Sequence, residues 1–122
     1  YDTLNRIVSK TLPDGQVYAY TYDAVGRITS AGNAAGTVAF TYDVLNRITS
    51  ETFNGRTVKY NYSISGRTQT TIYPDSTLIT RNFDTRNRLT SIQKNGAAVV
   101  SYQYNNADQV ISKTFANGVT TN

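Results

Sequence analysis

The sequence predicts an all-β fold, a continuous antiparallel meander of β-hairpins forming a strongly twisted, curled sheet. Three observations carry the prediction. A nine-residue phrase recurs along the whole chain at a step of 20 or 21 residues. Apolar and polar residues alternate with period two before each copy. A turn-forming cluster of Pro, Asn, Asp or Gly separates one copy from the next.

The copies are YDTLNRIVS (1–9), YDAVGRITS (22–30), YDVLNRITS (42–50), YSISGRTQT (62–70), FDTRNRLTS (83–91) and YNNADQVIS (104–112). Their aromatic anchors are Tyr1, Tyr22, Tyr42, Tyr62, Phe83 and Tyr104, spaced by 21, 20, 20, 21 and 21 residues. A period this regular marks an array of one supersecondary unit. Between copies lie LPDGQ (12–16), NAAGT (33–37), FNGR (53–56), YPDST (73–77), KNGA (94–97) and ANGV (116–119), chemistry suited to tight reversal. One period is therefore two strands and two turns.

The strands read by alternation. Tyr18, Tyr20 and Tyr22 point to one face, and Ala19, Thr21 and Asp23 to the other. The same register places Val38, Phe40 and Tyr42, then Val58, Tyr60 and Tyr62, then Val100, Tyr102 and Tyr104 on the first face. The turn inside each copy is equally specific. Its fourth position holds Asn5, Gly26, Asn46, Gly66, Asn87 or Asp108, residue types that tolerate positive φ. This predicts a type I turn closed by a left-handed residue in a G1 bulge. Asp23 then lies opposite Arg27, and Tyr22 opposite Ile28. The aliphatic column is Ile7, Ile28, Ile48, Leu89 and Val110, with Thr68 as its exception. A single hairpin cannot bury such a face alone, so its neighbours must do it.

Composition excludes several activities. The chain has 122 residues, a net charge of +4, and no His, Cys, Met or Trp. Imidazole and thiolate metal sites, Ser–His and Cys–His catalysis and a histidine base are therefore excluded, and no cofactor is expected. No apolar run approaches the ~20 residues of a membrane helix. The modest charge, without blocks of one sign, argues against nucleic acid as a partner. Asp2, Asp23, Asp43 and Asp84 recur at repeat spacing, ~10 Å apart, but turn chemistry explains them better than paired-carboxylate catalysis.

Two columns admit a binding reading beside a structural one. Arg6, Arg27, Arg47, Arg67 and Arg88 form either an anion-binding ladder or a set of Asp–Arg closures, and closure is the preferred reading. Arg67 faces Ser63 and lacks a partner Asp. The tyrosine stripe is either a stacking platform or the repeat core, and the core is preferred.

These residues resemble the YD repeat, also called the Rhs repeat. Tyr22-Asp23, Gly26-Arg27-Ile28-Thr29, Gly36 and Phe40-Thr41-Tyr42-Asp43 follow its pattern, and five of six copies keep an aromatic, a turn residue and Arg at fixed offsets. Copy four departs with Ser63. Copy six departs with Asn105, Asp108 and Gln109. The family includes bacterial Rhs polymorphic toxins, the encapsulating subunits of insecticidal toxin complexes, wall-associated proteins and the teneurin adhesion receptors. The resemblance implies a hairpin ribbon that spirals into a hollow shell, in the toxins around a C-terminal toxin. It implies a non-catalytic, secreted or cell-surface protein whose partners are the rest of the shell and its cargo. A family self-cleavage segment rich in Asp-Pro is not matched. Residues 1–122 are expected to form one repeat domain, a slice of a longer array, since twelve strands at ~4.8 Å span only roughly 58 Å. Self-association through edge strands is expected for such a slice. The competing function is an adhesion or glycan-binding module using the exposed face.

Overall fold

The alternating strands and paired turns of the sequence produce twelve β-strands and no helix. A computed structural model describes residues 1–122. The strands are β1 (Ser9–Thr11), β2 (Val17–Tyr22), β3 (Ile28–Asn33), β4 (Gly36–Tyr42), β5 (Ile48–Phe53), β6 (Arg56–Tyr62), β7 (Thr68–Ile72), β8 (Leu78–Phe83), β9 (Leu89–Lys94), β10 (Ala97–Tyr104), β11 (Val110–Phe115) and β12 (Thr120–Thr121). Each pairs with its sequence neighbours, in the order β1 to β12, as an open antiparallel meander. The chain forms two compact units, Tyr1–Val58 and Lys59–Asn122.

In the first unit, β2 and β4 show the alternation directly. Tyr18, Tyr20 and Tyr22 are half-buried and Val17, Ala19 and Thr21 exposed; Val38, Phe40 and Tyr42 are half-buried and Thr37, Ala39 and Thr41 exposed. In the second unit, β10 repeats the pattern with Val100, Tyr102 and Tyr104. Burial is shallow. Val100, 6% exposed, is the most buried apolar residue, and Thr71, at 8%, the most buried polar one. A single sheet layer leaves its aromatic rows to cover one another.

All six fourth-position residues have positive φ, from 60° at Asn5 to 90° at Gly26. In copy two the Gly26 N–H donates to the Asp23 carbonyl at 3.1 Å, and the Asp23 N–H to the Arg27 carbonyl at 2.9 Å, which is the type I turn with its G1 bulge. Tyr22 lies opposite Ile28, Tyr42 opposite Ile48, Phe83 opposite Leu89 and Tyr104 opposite Val110.

Copy four corrects the single register assumed for all repeats. Tyr62 lies opposite Gln69, not Thr68, and the Ser63 N–H donates to the Thr68 carbonyl, so the loop is one residue longer. The Arg67 N–H donates to Ser65 Oγ at 3.4 Å, so the Ser63 hydroxyl does not take it as an Asp carboxylate does. It takes the Thr68 N–H instead, at 3.0 Å.

The remaining turns follow their chemistry. Leu12–Gln16, Tyr73–Thr77 and Phe115–Val119 close with the same pair of backbone bonds as copy two, with Gly15, Ser76 and Gly118 at positive φ. Asn54-Gly55 and Asn95-Gly96 place both residues at positive φ, as a two-residue type I′ hairpin requires.

Candidate functional site

Four of the six copies centre on a short carboxylate, Asp2, Asp23, Asp43 or Asp84. In copy two, Asp23 Oδ1 accepts the backbone N–H groups of Val25 and Arg27, both at 3.0 Å, while Oδ2 accepts Arg27 Nε at 2.6 Å. One side chain therefore caps the turn, fixes the loop length and holds the guanidinium. The ion pair recurs as Asp2–Arg6 at 2.6 Å, Asp43–Arg47 at 2.7 Å and Asp84–Arg88 at 2.7 Å. At Asp2 the Arg6 backbone N–H is the strongest influence, and it holds the carboxyl below its ordinary value. At Asp23 and Asp43 partial desolvation pushes upward, yet the N–H groups and guanidiniums of Arg27 and Arg47 outweigh it. Asp84 is lowered first by the Arg88 backbone N–H, and Arg88 is raised in turn by its bond to Asp84.

Copy six keeps this geometry without charge. Asn105 Oδ1 accepts the N–H groups of Ala107 and Gln109 at 2.9 and 3.0 Å, and Asn105 Nδ2 donates to Gln109 Oε1 at 2.9 Å. Asn–Gln replaces Asp–Arg with the side-chain donor and acceptor exchanged.

In three copies the free end of the guanidinium reaches the next repeat. In the first unit, Arg6 stacks 4.6 Å from the Tyr22 ring centroid and Arg27 4.7 Å from that of Tyr42. Arg27 Nη1 donates to the Asp43 carbonyl and to Asn46 Oδ1, both at 3.0 Å, and Arg6 Nη1 to the Asp23 carbonyl at 3.3 Å. Tyrosine answers in the opposite direction. The Tyr22 hydroxyl donates to the Ile7 carbonyl and the Tyr42 hydroxyl to the Ile28 carbonyl, both at 2.7 Å. In the second unit Arg88 stacks 4.6 Å from Tyr104, whose hydroxyl donates to the Leu89 carbonyl at 2.5 Å. Arg86 and Arg88 both meet Asp108 Oδ1, at 2.7 and 2.8 Å.

The sequence-selected residues thus divide. Arg, Asp and Tyr of successive copies come together as an inter-repeat clamp around Arg6–Tyr22, Arg27–Tyr42 and Arg88–Tyr104. Gly26 and Gly66, with φ of 90° and 71°, and Asn46, with 62°, close turns. Phe83 has no hydroxyl to donate, Tyr1 is 78% exposed, and Arg67 is exposed beside Ser63. The clamp guanidiniums are 23–28% exposed and already carry a carboxylate each.

Sequence reasoning missed the opposite face. Thr21 Oγ1 lies 2.8 Å from Thr29 Oγ1 and 2.7 Å from Ser30 Oγ; Thr41 meets Thr49 and Ser50, both at 2.7 Å. The cause is a second bulge. Thr21 pairs with Ser30 but Tyr22 with Ile28, which leaves Thr29 as an extra residue. The Thr-Ser that follows Ile28, Ile48 and Leu89 was the available signal.

A meander of one repeated hairpin, clamped by motif residues, defines a structural repeat array. Residues 1–38 match the family model described as RHS Repeat. No curated protein matches the chain. The chain is thus similar to the Rhs repeat over residues 1–38, and the turns at 43–47 and 84–88 reproduce beyond the matched residues the hydrogen bonds found within them.

Proposed function

We propose that the chain is a non-catalytic wall segment of a secreted or surface-displayed YD-repeat protein, forming part of a shell that encloses a C-terminal toxin. The observation that carries this reading is the clamp. Arg, Asp and Tyr, the residues best suited to chemistry or recognition, are spent on joining one repeat to the next. Shallow burial agrees with a wall that gains stability by continuing. The partners are then the remaining repeats and the cargo, and edge strands add further copies when the array is interrupted. Limited proteolysis of the parent protein tests the idea. Its C-terminal segment should resist protease until the shell is opened; digestion at the rate of a free polypeptide would overturn the reading.

A second reading, a glycan-binding surface, rests on one feature. Ile7, Lys10, Tyr20, Tyr22 and Ile28 line a depression of about 280 Å³, with aromatic walls and a cation at its rim. If it binds sulfated or uronic oligosaccharides, binding should persist at ~0.15 M salt and fall in Lys10→Gln. Binding that instead falls in Arg67→Ala and not in Arg47→Ala would place the ligand on the arginine column. Under the shell reading, both are weak and vanish with salt.

A further inference from the structure

Three Asn-Gly pairs occupy turns: Asn54-Gly55, Asn95-Gly96 and Asn117-Gly118. Glycine after asparagine leaves the backbone nitrogen unhindered for attack on the side-chain amide. The fold treats the three differently. Asn95 Oδ1 accepts the Leu78 N–H at 2.8 Å, and its own N–H donates to the Leu78 carbonyl at 2.9 Å, so the neighbouring strand holds it twice. Asn117 Oδ1 accepts the Val119 N–H at 3.0 Å, and the would-be attacking nitrogen of Gly118 donates to the Phe115 carbonyl at 2.9 Å. The Asn54 amide and the Gly55 N–H are in no hydrogen bond. Both residues are exposed, and the space around Gly55 is open.

We propose that Asn54-Gly55 is the chain's site of spontaneous succinimide formation and isoaspartate modification. The Gly55 nitrogen loses its proton to solvent base and bonds to Asn54 Cγ. The Cγ–nitrogen bond of the side-chain amide breaks, and ammonia leaves. Water then opens the five-membered imide. Cleavage at Cγ gives an ordinary aspartate; cleavage at the main-chain carbonyl gives isoaspartate, with the backbone running through Cβ and Cγ. Either product sets a carboxylate close to Arg56. Isoaspartate also lengthens the two-residue turn between β5 and β6 by one carbon, which a type I′ turn cannot absorb without loosening its first pairs.

Peptide mapping by mass spectrometry, after incubating the folded chain at mildly alkaline pH, tests this. Replacement of NH₂ by OH should accumulate at Asn54 about fivefold faster than at Asn95 or Asn117, because each of those must first release a hydrogen bond. In denaturant the three rates should converge. Equal rates in the folded chain, or a slower Asn54, would overturn the proposal. So would an Asn54 preference that persists in denaturant, since local sequence would then set the order. Asn54→Gln should abolish the product at this turn and leave the other two sites unchanged.

Discussion

The Tyr42 hydroxyl donates a 2.7 Å hydrogen bond to the Ile28 carbonyl, while the Arg27 guanidinium lies over the Tyr42 ring. One side chain thus ties copy three to copy two by its edge and by its face. Removing the hydroxyl alone, in Tyr42→Phe, should destabilise by about 1 kcal/mol, the net worth of one such bond. Tyr42→Ala also removes the ring, and should cost about 3 kcal/mol. Denaturant unfolding of the two variants checks the order. Equal losses would mean that the hydroxyl carries the whole contact.

Gly26, with φ of 90°, has ordinary room for a Cβ, since the nearest atom, Arg6 Nη1, would lie 3.9 Å away. The obstacle is the backbone and not space. Gly26→Val should lose about 1–3 kcal/mol, and Ala34→Val in an ordinary turn should stay within about 0.5 kcal/mol. Gly26→Asn should be near neutral, because Asn46 holds the equivalent place and accepts Arg27 Nη1. A Gly26→Asn variant as unstable as Gly26→Val would contradict this account of the turn.

The Asp–Arg closures make stability depend on acid. Asp2, Asp23, Asp43 and Asp84 are all held below the ordinary carboxylate value. The unfolded chain therefore takes up protons first as pH falls, and folded-state stability declines once pH drops through about 4. Above about pH 5 the contribution is complete and flat. Melting temperature should fall from about pH 5 to about pH 3, and less steeply in Asp43→Asn. A melting temperature unchanged over that range would show that the closures add nothing.

Much of this was legible because the chemistry is local. Positive-φ residues, tight reversals at Pro, Asn, Asp and Gly, and period-two faces each follow from a few adjacent letters. The clamp was harder to read, because Arg27 and Asn46 are 19 residues apart and meet only when two hairpins lie side by side. Copy six misled differently. Asn105 and Gln109 read as departures from the motif, yet they keep both backbone bonds of the closure and join their side chains with donor and acceptor exchanged.

Copy four offers the sharpest test of what sets the register. Beyond the loop it agrees with copy two: Asn61 lies opposite Thr70 as Thr21 lies opposite Ser30. The two differ only in where one extra residue goes. In copy two Asp23 binds the Arg27 N–H and keeps the loop short, so the extra residue emerges as the bulge at Thr29. In copy four Ser63 leaves the loop long, Gln69 pairs with Tyr62 and no bulge forms. The Arg67 carbonyl is released to accept the Phe83 N–H at 2.8 Å. Ser63→Asp should therefore shorten the loop, move Tyr62 from Gln69 to Thr68, turn Gln69 into a bulge and bring Arg67 Nε onto the new carboxylate. The gain should be at most about 1 kcal/mol, since the pair is partly solvated and the Phe83 bond must adjust. Asp43→Ser should do the reverse, pairing Tyr42 with Thr49 in place of Ile48. Cross-strand nuclear Overhauser contacts from the Tyr62 and Tyr42 α-protons report the register directly. If Ser63→Asp leaves Tyr62 opposite Gln69, the carboxylate does not choose the register, and the Arg67–Phe83 hydrogen bond on the neighbouring strand becomes the element that does.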